Sequence, residues 1–354
     1  MENKGLYIHI PFCEHICSYC DFAKEIYNKN RVKAYLNELQ KELKEYDINN
    51  ITSIYIGGGT PSSLDEDELS FLLSIVDPYV KDNISYAFEA NAENLTLNKI
   101  KLLKKHHVNR VSLGVQTFNP VLIKKINRFH NEEMVKNVIS LLKENGIDDI
   151  NIDLIYGLPS ESMTDLKKDI DKFVSLPVTH ISTYALSVNK NTIFGVKGVK
   201  EASEDIVSDM YKTIVQELKK HGFERYEVSN FSKLGYESKH NLVYWRNCYY
   251  YGIGVGASGY IDDIRYDNTK SIDHYIKGKR RIYEEKLTLE DKQYYQIMLG
   301  LRLKEGIKIE KNNPYKEKLD KCVKEGLLEK VNNHYKVKDE HLFILDFIER
   351  KILY

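Results

Sequence analysis

Three cysteines near the start of the chain are spaced closely enough to share one inorganic centre. Cys13, Cys17 and Cys20 form a C-x3-C-x2-C cluster, whereas the other two cysteines, Cys248 and Cys322, stand alone. Thiolates are the ligands of iron–sulfur clusters, and a four-iron cluster normally takes four of them. Three thiolates on one short loop would leave one iron open to a small chelating ligand. The spacing therefore predicts an iron–sulfur centre with one exchangeable position.

Two simpler explanations of the cysteine cluster stay open. A zinc ion could be completed by His9 or His15, or the thiols could be ordinary buried side chains. Zinc sites usually pair their ligands across a longer loop. A secreted disulfide framework would need more cysteines, spread along the chain. The cluster directly follows a predicted strand at residues 6–12, which favours a functional loop.

Strand and helix patterns alternate through the first half of the chain. Six strands are predicted, each followed by a helical pattern or a change of pattern, at residues 6–12, 51–56, 84–90, 110–116, 150–156 and 180–186. Repeated β-then-α units predict an α/β fold with a parallel sheet. Since crossovers are right-handed, a partial (β/α)6 barrel is the natural closure. Chemistry in such folds gathers where the strands end.

The pattern changes after residue 187, and three domains are predicted. Residues 1–187 form the partial barrel. Residues 188–286 form an α+β extension, with a long helix followed by short strands and turns that hold the words KHNLVYWRN and GIGVGASGY. Residues 287–354 form a small winged-helix-like module, with two helices, a hairpin around Asn332-Asn333 and a last helix.

The charge composition restricts the classes of molecule that the chain is expected to bind. Lys+Arg and Asp+Glu both number 52, so the formal net charge is zero. A chain without net charge has no general attraction for nucleic acid or anionic lipid. No apolar run is long enough to span a bilayer, and no signal peptide is recognisable. We therefore expect a cytoplasmic protein that binds no nucleic acid.

The cysteine spacing resembles that of the radical S-adenosylmethionine (SAM) superfamily. The resemblance implies a [4Fe–4S] cluster on the three cysteines, with SAM chelating the open iron. The sequence GGGTP at residues 57–61 looks like the family's second-strand loop. The resemblance extends to residues expected to contact SAM or flank the cluster, namely Tyr7, Tyr19, Gly58, Gly59, Thr60, Glu89, Gln116, Arg128, Asp153 and Ala185.

Longer sequence motifs restrict the resemblance to one group of the superfamily. YIHIPFC, GGGTP, LGVQTFN and NIDLIYGLP are similar to the oxygen-independent coproporphyrinogen III oxidase group, HemN/HemW. True oxidases usually carry a fourth cysteine two residues after the third, where this chain has Phe22. The word HNLVYW at residues 240–245, which holds the only Trp of the chain, matches the HNxxYW word of the heme chaperone branch, HemW.

Resemblance to the heme chaperone branch implies a function and partners. The chain would bind heme, with His240 as a candidate iron ligand, and transfer it to heme-accepting proteins. A flavodoxin or ferredoxin-type reductant would supply electrons, and peripheral association with membrane-bound acceptors stays open. An oxidase or another radical SAM enzyme acting on a tetrapyrrole is the alternative, and Phe22 weakens it. His240 could equally be a hydrogen-bonded structural histidine.

Overall fold

Strands of β-branched and apolar residues, most of them followed by a helix, form the centre of the structure. The computed structural model describes residues 4–354. Its strands are β1 Lys4–Ile10, β2 Phe12–Cys13, β3 Glu25–Ile26, β4 Ile51–Gly58, β5 Ser85–Ala90, β6 Arg110–Gln116, β7 Asp149–Tyr156, β8 His180–Ala185, β9 Glu224–Arg225, β10 Asn230–Ser232, β11 Tyr250–Ile253, β12 Ser258–Ile261, β13 Ile264–Asn268, β14 Arg281–Lys286, β15 Ile307–Lys308, β16 Leu328–Val331 and β17 His334–Val337.

Thirteen α-helices are described between residues 4 and 354. They are α1 Lys29–Glu45, α2 Glu66–Val76, α3 Leu97–Lys105, α4 Pro120–Lys125, α5 Glu132–Glu144, α6 Met163–Ser175, α7 Ile193–Val196, α8 Glu204–Lys220, α9 Lys239–Trp245, α10 Ile272–Ile276, α11 Leu289–Gly300, α12 Lys316–Lys324 and α13 Leu345–Leu353. In this described part of the chain, no helix combines the length and the apolar character needed to cross a membrane.

The six predicted βα units form one parallel array. Strands β1, β4, β5, β6, β7 and β8 are neighbours in that order, and each pair is parallel. The sequence therefore predicted the mixed α/β fold and its parallel sheet correctly. All six carboxyl ends lie at the same edge, where loops that carry chemistry can meet.

Alternation along the strands separates a dry face from a polar face. Leu6, Ile8 and Ile10 of β1 are fully buried in the hydrophobic core. Tyr7 and His9 point to the opposite face, because side chains of a strand alternate. The polar face is the one that holds the candidate site.

Residues of the predicted extension enlarge the same sheet at both edges. β11 pairs parallel with β1, and β12, β13 and β14 follow in antiparallel order. At the other edge, β10 pairs antiparallel with β8, and β9 with β10. The sequence pattern predicts short strands and turns over residues 223–267, but KHNLVYW forms helix α9 within them. Ser238 caps α9 by accepting a hydrogen bond from the Asn241 backbone N–H at 3.3 Å.

The C-terminal part of the chain holds helices α11, α12 and α13 and a three-stranded sheet. β15, β17 and β16 are neighbours in that order. The predicted hairpin is confirmed, since Val331 pairs with His334 and the turn lies at Asn332-Asn333. The pattern predicts the last helix over residues 341–352, but it begins at Leu345, because Asp339–Ile344 forms a 3-10 helix first.

Candidate functional site

A cavity of about 300 Å³ opens at the carboxyl edge of the parallel strands. Loops or strand ends from β1 to β8 all contribute to its wall. Among the residues predicted from the sequence, it is lined by Cys13, Cys17, Tyr19, Cys20, Gly58, Gly59, Thr60, Glu89, Gln116, Arg128, Asp153 and Ala185. The structure thus brings together all predicted cluster and SAM residues except Tyr7.

The cysteine loop is held by backbone hydrogen bonds at its ends and in its middle. The Glu25 N–H donates to the Pro11 carbonyl at 2.7 Å and the Tyr27 N–H to the Cys13 carbonyl at 2.8 Å. In the middle, the Ser18 N–H donates to the Ile126 carbonyl at 3.0 Å. The loop is therefore pinned around the positions of the three thiols.

The thiols are near neighbours in a poorly hydrated place. Burial raises the pKa of Cys13 to about 11, and the charges of Cys20 and Cys17 raise it further. Burial likewise raises the pKa of Cys20. Thiols of this kind ionise readily only when a metal centre supplies positive charge. The donor set and its surroundings fit an iron–sulfur cluster.

The zinc alternative finds little support in the two histidines that could complete it. His9 Nδ1 hydrogen-bonds the Tyr7 hydroxyl at 2.9 Å, and Nε2 hydrogen-bonds the Ala23 carbonyl at 2.8 Å. His15 is exposed, with its ring centroid 4.3 Å from that of Phe129. Both ring nitrogens of His9 are already hydrogen-bonded, which makes His9 a poor zinc ligand.

The GGGTP loop lies directly against the cysteine loop. The Gly59 N–H donates to the Ile10 carbonyl and the Thr60 N–H to the Phe12 carbonyl, both at 2.9 Å. The Thr60 hydroxyl donates to the Cys13 Sγ at 3.4 Å. A Cβ on Gly59 would lie 3.0 Å from that sulfur and 2.9 Å from the Pro11 carbonyl carbon. Glycine is needed because the two backbones touch.

Glu89 is fixed by two donors at the end of β5. The Tyr55 hydroxyl donates to Oε1 at 2.6 Å and the Gly58 N–H donates to Oε2 at 2.9 Å. Burial is the main reason that the pKa of Glu89 rises to about 7, and the charge of Asp153 adds to it. The carboxyl group is thus poised between its two protonation states near neutral pH.

Asp153 is the second carboxyl group of the cavity wall. The Asn151 side-chain amide donates to its Oδ1 at 2.8 Å. Burial raises the pKa of Asp153 to about 6, against the lowering effect of hydrogen bonds from Asn151 and Ser182. Asp153 can accept hydrogen bonds from a ligand in the cavity.

Gln116 adopts a backbone conformation that is uncommon for a residue with a side chain. Its φ is +72°, and the Thr117 N–H donates back to the Val115 carbonyl at 2.9 Å. The side chain is 7% exposed, and its Oε1 has no hydrogen-bond partner. Strained backbone and an orphaned buried acceptor occur together where a ligand binds.

Arg128 places a buried positive charge beside the cysteine loop. Its guanidinium donates to the Asn91 Oδ1 at 2.8 Å, to the Gly114 carbonyl, and to the Cys17 Sγ at 3.7 Å. A guanidinium in this position favours thiolate or another anion in the cavity.

Tyr7 and His240 are the predicted residues that lie away from this cavity. The Tyr7 hydroxyl hydrogen-bonds the Nδ1 of His9. His240 is 1% exposed, and its ring nitrogens hydrogen-bond the Ser53 hydroxyl at 2.9 Å and the Tyr244 hydroxyl at 2.7 Å. Burial lowers the pKa of His240 to about 3. These contacts match the structural role that the sequence left open, and heme ligation by His240 stays a prediction.

Sequence reasoning missed several residues of the wall. Asn91, Ser112 and Tyr184 line the cavity together with Phe22. Phe22 and Tyr184 are 62% and 44% exposed. The alternation along β6 could have found Ser112, since Ser112 shares a face with Gln116, and Tyr184 directly precedes Ala185 at the end of β8.

Comparisons with known proteins agree with this geometry. A family model described as Radical SAM superfamily matches residues 7–173. The heme chaperone HemW of Lactococcus lactis subsp. lactis (strain IL1403) is 43% identical over 319 residues, 88% of this chain and 84% of that protein. The heme chaperone HemW of Bacillus subtilis (strain 168) is 39% identical over 324 residues, 86% of this chain and 84% of that protein.

A more distant relative and a solved structure extend the picture. The heme chaperone HemW of Escherichia coli (strain K12) is 32% identical over 314 residues, 85% of this chain and 83% of that protein. Coproporphyrinogen III oxidase (HemN) from Escherichia coli has a TM-score of 0.85 at 20% identity, over 99% of this chain and 90% of that chain. At this identity the similarity establishes the fold and not the activity.

Proposed function

The chain belongs to the heme chaperone HemW family of the radical SAM superfamily, and we propose that it binds heme and passes it to acceptor proteins. We propose further that it carries a [4Fe–4S] cluster and SAM. Porphyrin-related radical chemistry is the alternative. Its partners would be heme, heme-accepting proteins and a flavodoxin or ferredoxin-type reductant.

Cys13, Cys17 and Cys20 would hold the cluster. When bound, the cluster supplies one electron to cleave the SAM sulfonium, and the protein's part is positioning. The wall of the cavity around these cysteines offers both hydrogen-bond donors and acceptors. The backbone of residues Gly58–Thr60 would lie close to the methionine end of SAM. The Asp153 carboxylate would accept hydrogen bonds from the ribose hydroxyls of SAM.

Four more residues of the cavity wall would contact SAM or the cluster loop. The unpartnered Oε1 of Gln116 would accept a hydrogen bond from SAM, which removes the cost of burying it alone. Arg128 would meet the carboxylate of SAM or the charge of the ligated sulfurs. Tyr19 and Ala185 would pack against the cluster loop and the adenosyl group.

The architecture follows the same proposal. The parallel strands would curve into a partial (β/α)6 barrel, which is supported by one cavity lined by residues that lie in or after β1, β4, β5, β6, β7 and β8. Residues 1–187 would be this barrel, residues 188–286 its extension and residues 287–354 a winged-helix-like module.

Phe22 is the residue that favours the chaperone function over the oxidase function. It stands where true oxidases of the resembling group usually have a fourth cysteine, and it exposes 62% of its surface at the mouth of the cavity. An exposed ring contributes no ligand to the cluster but can contact a flat apolar molecule. We therefore expect heme to be cargo that meets the cavity from outside.

Heme titration of anaerobically reconstituted protein tests the proposal. We expect a saturable Soret band and transfer of the bound heme to an apo-globin. The same sample, given coproporphyrinogen III, SAM and dithionite, should release no CO2 from the propionates. Protein that takes up no heme, or that releases CO2, would overturn the chaperone function in favour of the enzyme.

A further inference from the structure

Helix α9, which carries the HNxxYW word, closes the polar face of the sheet at the end opposite the cysteine cavity. His240 reaches the Ser53 hydroxyl near the amino end of β4 at 2.9 Å. A Cβ on Gly5, near the start of β1, would lie 3.2 Å from the His240 ring. Helix α9 is therefore the floor of the site, and its His240 side chain faces the sheet.

One line of contacts runs from this floor to Glu89. The His240 ring stacks on the Tyr55 ring, with centroids 5.1 Å apart and planes 25° apart. The Tyr55 hydroxyl donates to the Glu89 Oε1 at 2.6 Å. The position of the Tyr55 ring on His240 thus sets where this hydroxyl meets the carboxyl group.

A second line of hydrogen bonds runs from the floor to Asp153. The backbone N–H of Ser238, the cap of α9, donates to the Tyr226 hydroxyl at 3.3 Å. Tyr226 hydrogen-bonds the His180 Nε2 at 2.9 Å, and the His180 Nδ1 hydrogen-bonds the Asn151 Oδ1 at 2.6 Å. Asn151 then donates to the Asp153 Oδ1 at 2.8 Å.

Every bond of the second line has a defined direction. The Tyr226 hydroxyl accepts from the Ser238 N–H and has the side chain of Asn241 as a further hydrogen-bonding neighbour, so it donates its own proton to His180. Burial lowers the pKa of His180, which keeps the ring neutral, with its proton on Nδ1. That N–H and the Ser182 hydroxyl both donate to the Asn151 carbonyl oxygen, which leaves the Asn151 amide to donate to Asp153 and to the Ser112 hydroxyl.

We propose that α9 positions the two carboxyl groups of the SAM site, Glu89 through His240 and Tyr55, and Asp153 through Tyr226, His180 and Asn151. This inference rests on the proposed SAM site and assigns the HNxxYW word to that site. Loss of the Tyr226 hydroxyl removes the donor that fixes His180. The His180 proton can then move to Nε2, and the Asn151 amide can turn its oxygen toward Asp153, where two acceptors repel.

Tyr226→Phe and Tyr211→Phe form a matched pair of variants. Each loses one hydroxyl from a well-buried ring, but the Tyr211 hydroxyl donates to the Val228 carbonyl at 2.7 Å and belongs to neither line. SAM affinity is measured by calorimetry on anaerobically reconstituted protein, together with iron content, melting temperature and the EPR spectrum of the reduced cluster with SAM. His240→Gln, which removes the ring on which Tyr55 stacks, is assayed for SAM affinity in the same way.

We expect Tyr226→Phe to bind SAM about tenfold more weakly, since it disturbs one buried hydrogen bond to a charged group. Its iron content should be unchanged, and its SAM-bound EPR spectrum altered. Tyr211→Phe should bind SAM as the parent does despite a similar loss of melting temperature. His240→Gln should also bind SAM more weakly than the parent, because it removes the ring on which Tyr55 stacks.

Three results would overturn the inference. Equal SAM affinity in the Tyr226→Phe variant and the parent would remove the second line of contacts. Equal weakening in both tyrosine variants would reduce the effect to general stability. Equal SAM affinity in the His240→Gln variant and the parent would remove the first line of contacts. A parent protein that binds no SAM at all would overturn the proposed SAM site itself, which is a distinct outcome.

Discussion

Replacement of Glu89 by glutamine gives a sharp test of the electrostatics of the site. Glu89 is fixed by the Tyr55 hydroxyl and the Gly58 N–H, and its pKa rises from 4.5 to about 7, chiefly through burial. Glutamine has the same shape but cannot titrate. The comparison between parent and variant therefore isolates the proton of this one carboxyl group.

The sign and size of the effect follow from linkage. Between pH 4.5 and 7 the folded protein keeps a proton that the unfolded chain releases, so the free energy of unfolding falls as the pH rises. The contribution of Glu89 is fully present below pH 4.5 and lost above pH 7. A shift of this size corresponds to about 2 to 3 kcal/mol, allowing for the open side of the cavity.

Urea unfolding of the protein without cofactors, from about pH 5 to about pH 8, measures this contribution. The free energy of unfolding of the parent minus that of Glu89→Gln should fall by about 2 kcal/mol across the range. Glu133→Gln, at an exposed position on α5, is the control and should show a flat difference. A flat difference for Glu89→Gln would refute the argument that burial holds its proton.

Three further substitutions test the cavity. Gly59→Ala should reduce iron uptake on reconstitution about tenfold, measured by iron analysis, because the new methyl group would press on Pro11 and the Cys13 sulfur; normal iron content would contradict the close approach. Gln116→Gly should raise the free energy of unfolding by about 1 kcal/mol by relieving the positive φ, yet weaken SAM binding; unchanged affinity would remove Gln116 from the site. Cys20→Ser should abolish the reduced-cluster EPR signal, and a signal of full intensity would contradict its role as a ligand.

The sequence predicted the parallel array well because each of its signals is local. β-branched runs that end at glycine or at polar residues mark β4 and β7, and both strands lie where the pattern placed them. The residues chosen at those strand ends also meet in one cavity, because parallel strands bring their carboxyl ends to one edge. Period-two alternation, had it been applied to β6, would have added Ser112, and Tyr184 lies one residue before the predicted Ala185.

Helix α9 and the hydrogen bonds that link it to Asp153 could not be predicted from local sequence signals in the same way. The helix is seven residues long, from Lys239 to Trp245, too short for its period to stand out from a strand-rich tract. The link from Tyr226 through His180 to Asn151 joins three separate elements, and a contact of this kind depends on sheet register that the sequence does not display. The same limit applies to the antiparallel strands that extend both edges.

EPR spectroscopy of the reconstituted protein is the most direct test of the central claim that three cysteines present an open iron to SAM. After anaerobic reduction with dithionite, the account predicts the signal of a reduced [4Fe–4S] cluster whose spectrum changes when SAM is added. Absence of a cubane signal in protein that retains its three thiols, or a signal that added SAM leaves unchanged, would contradict it.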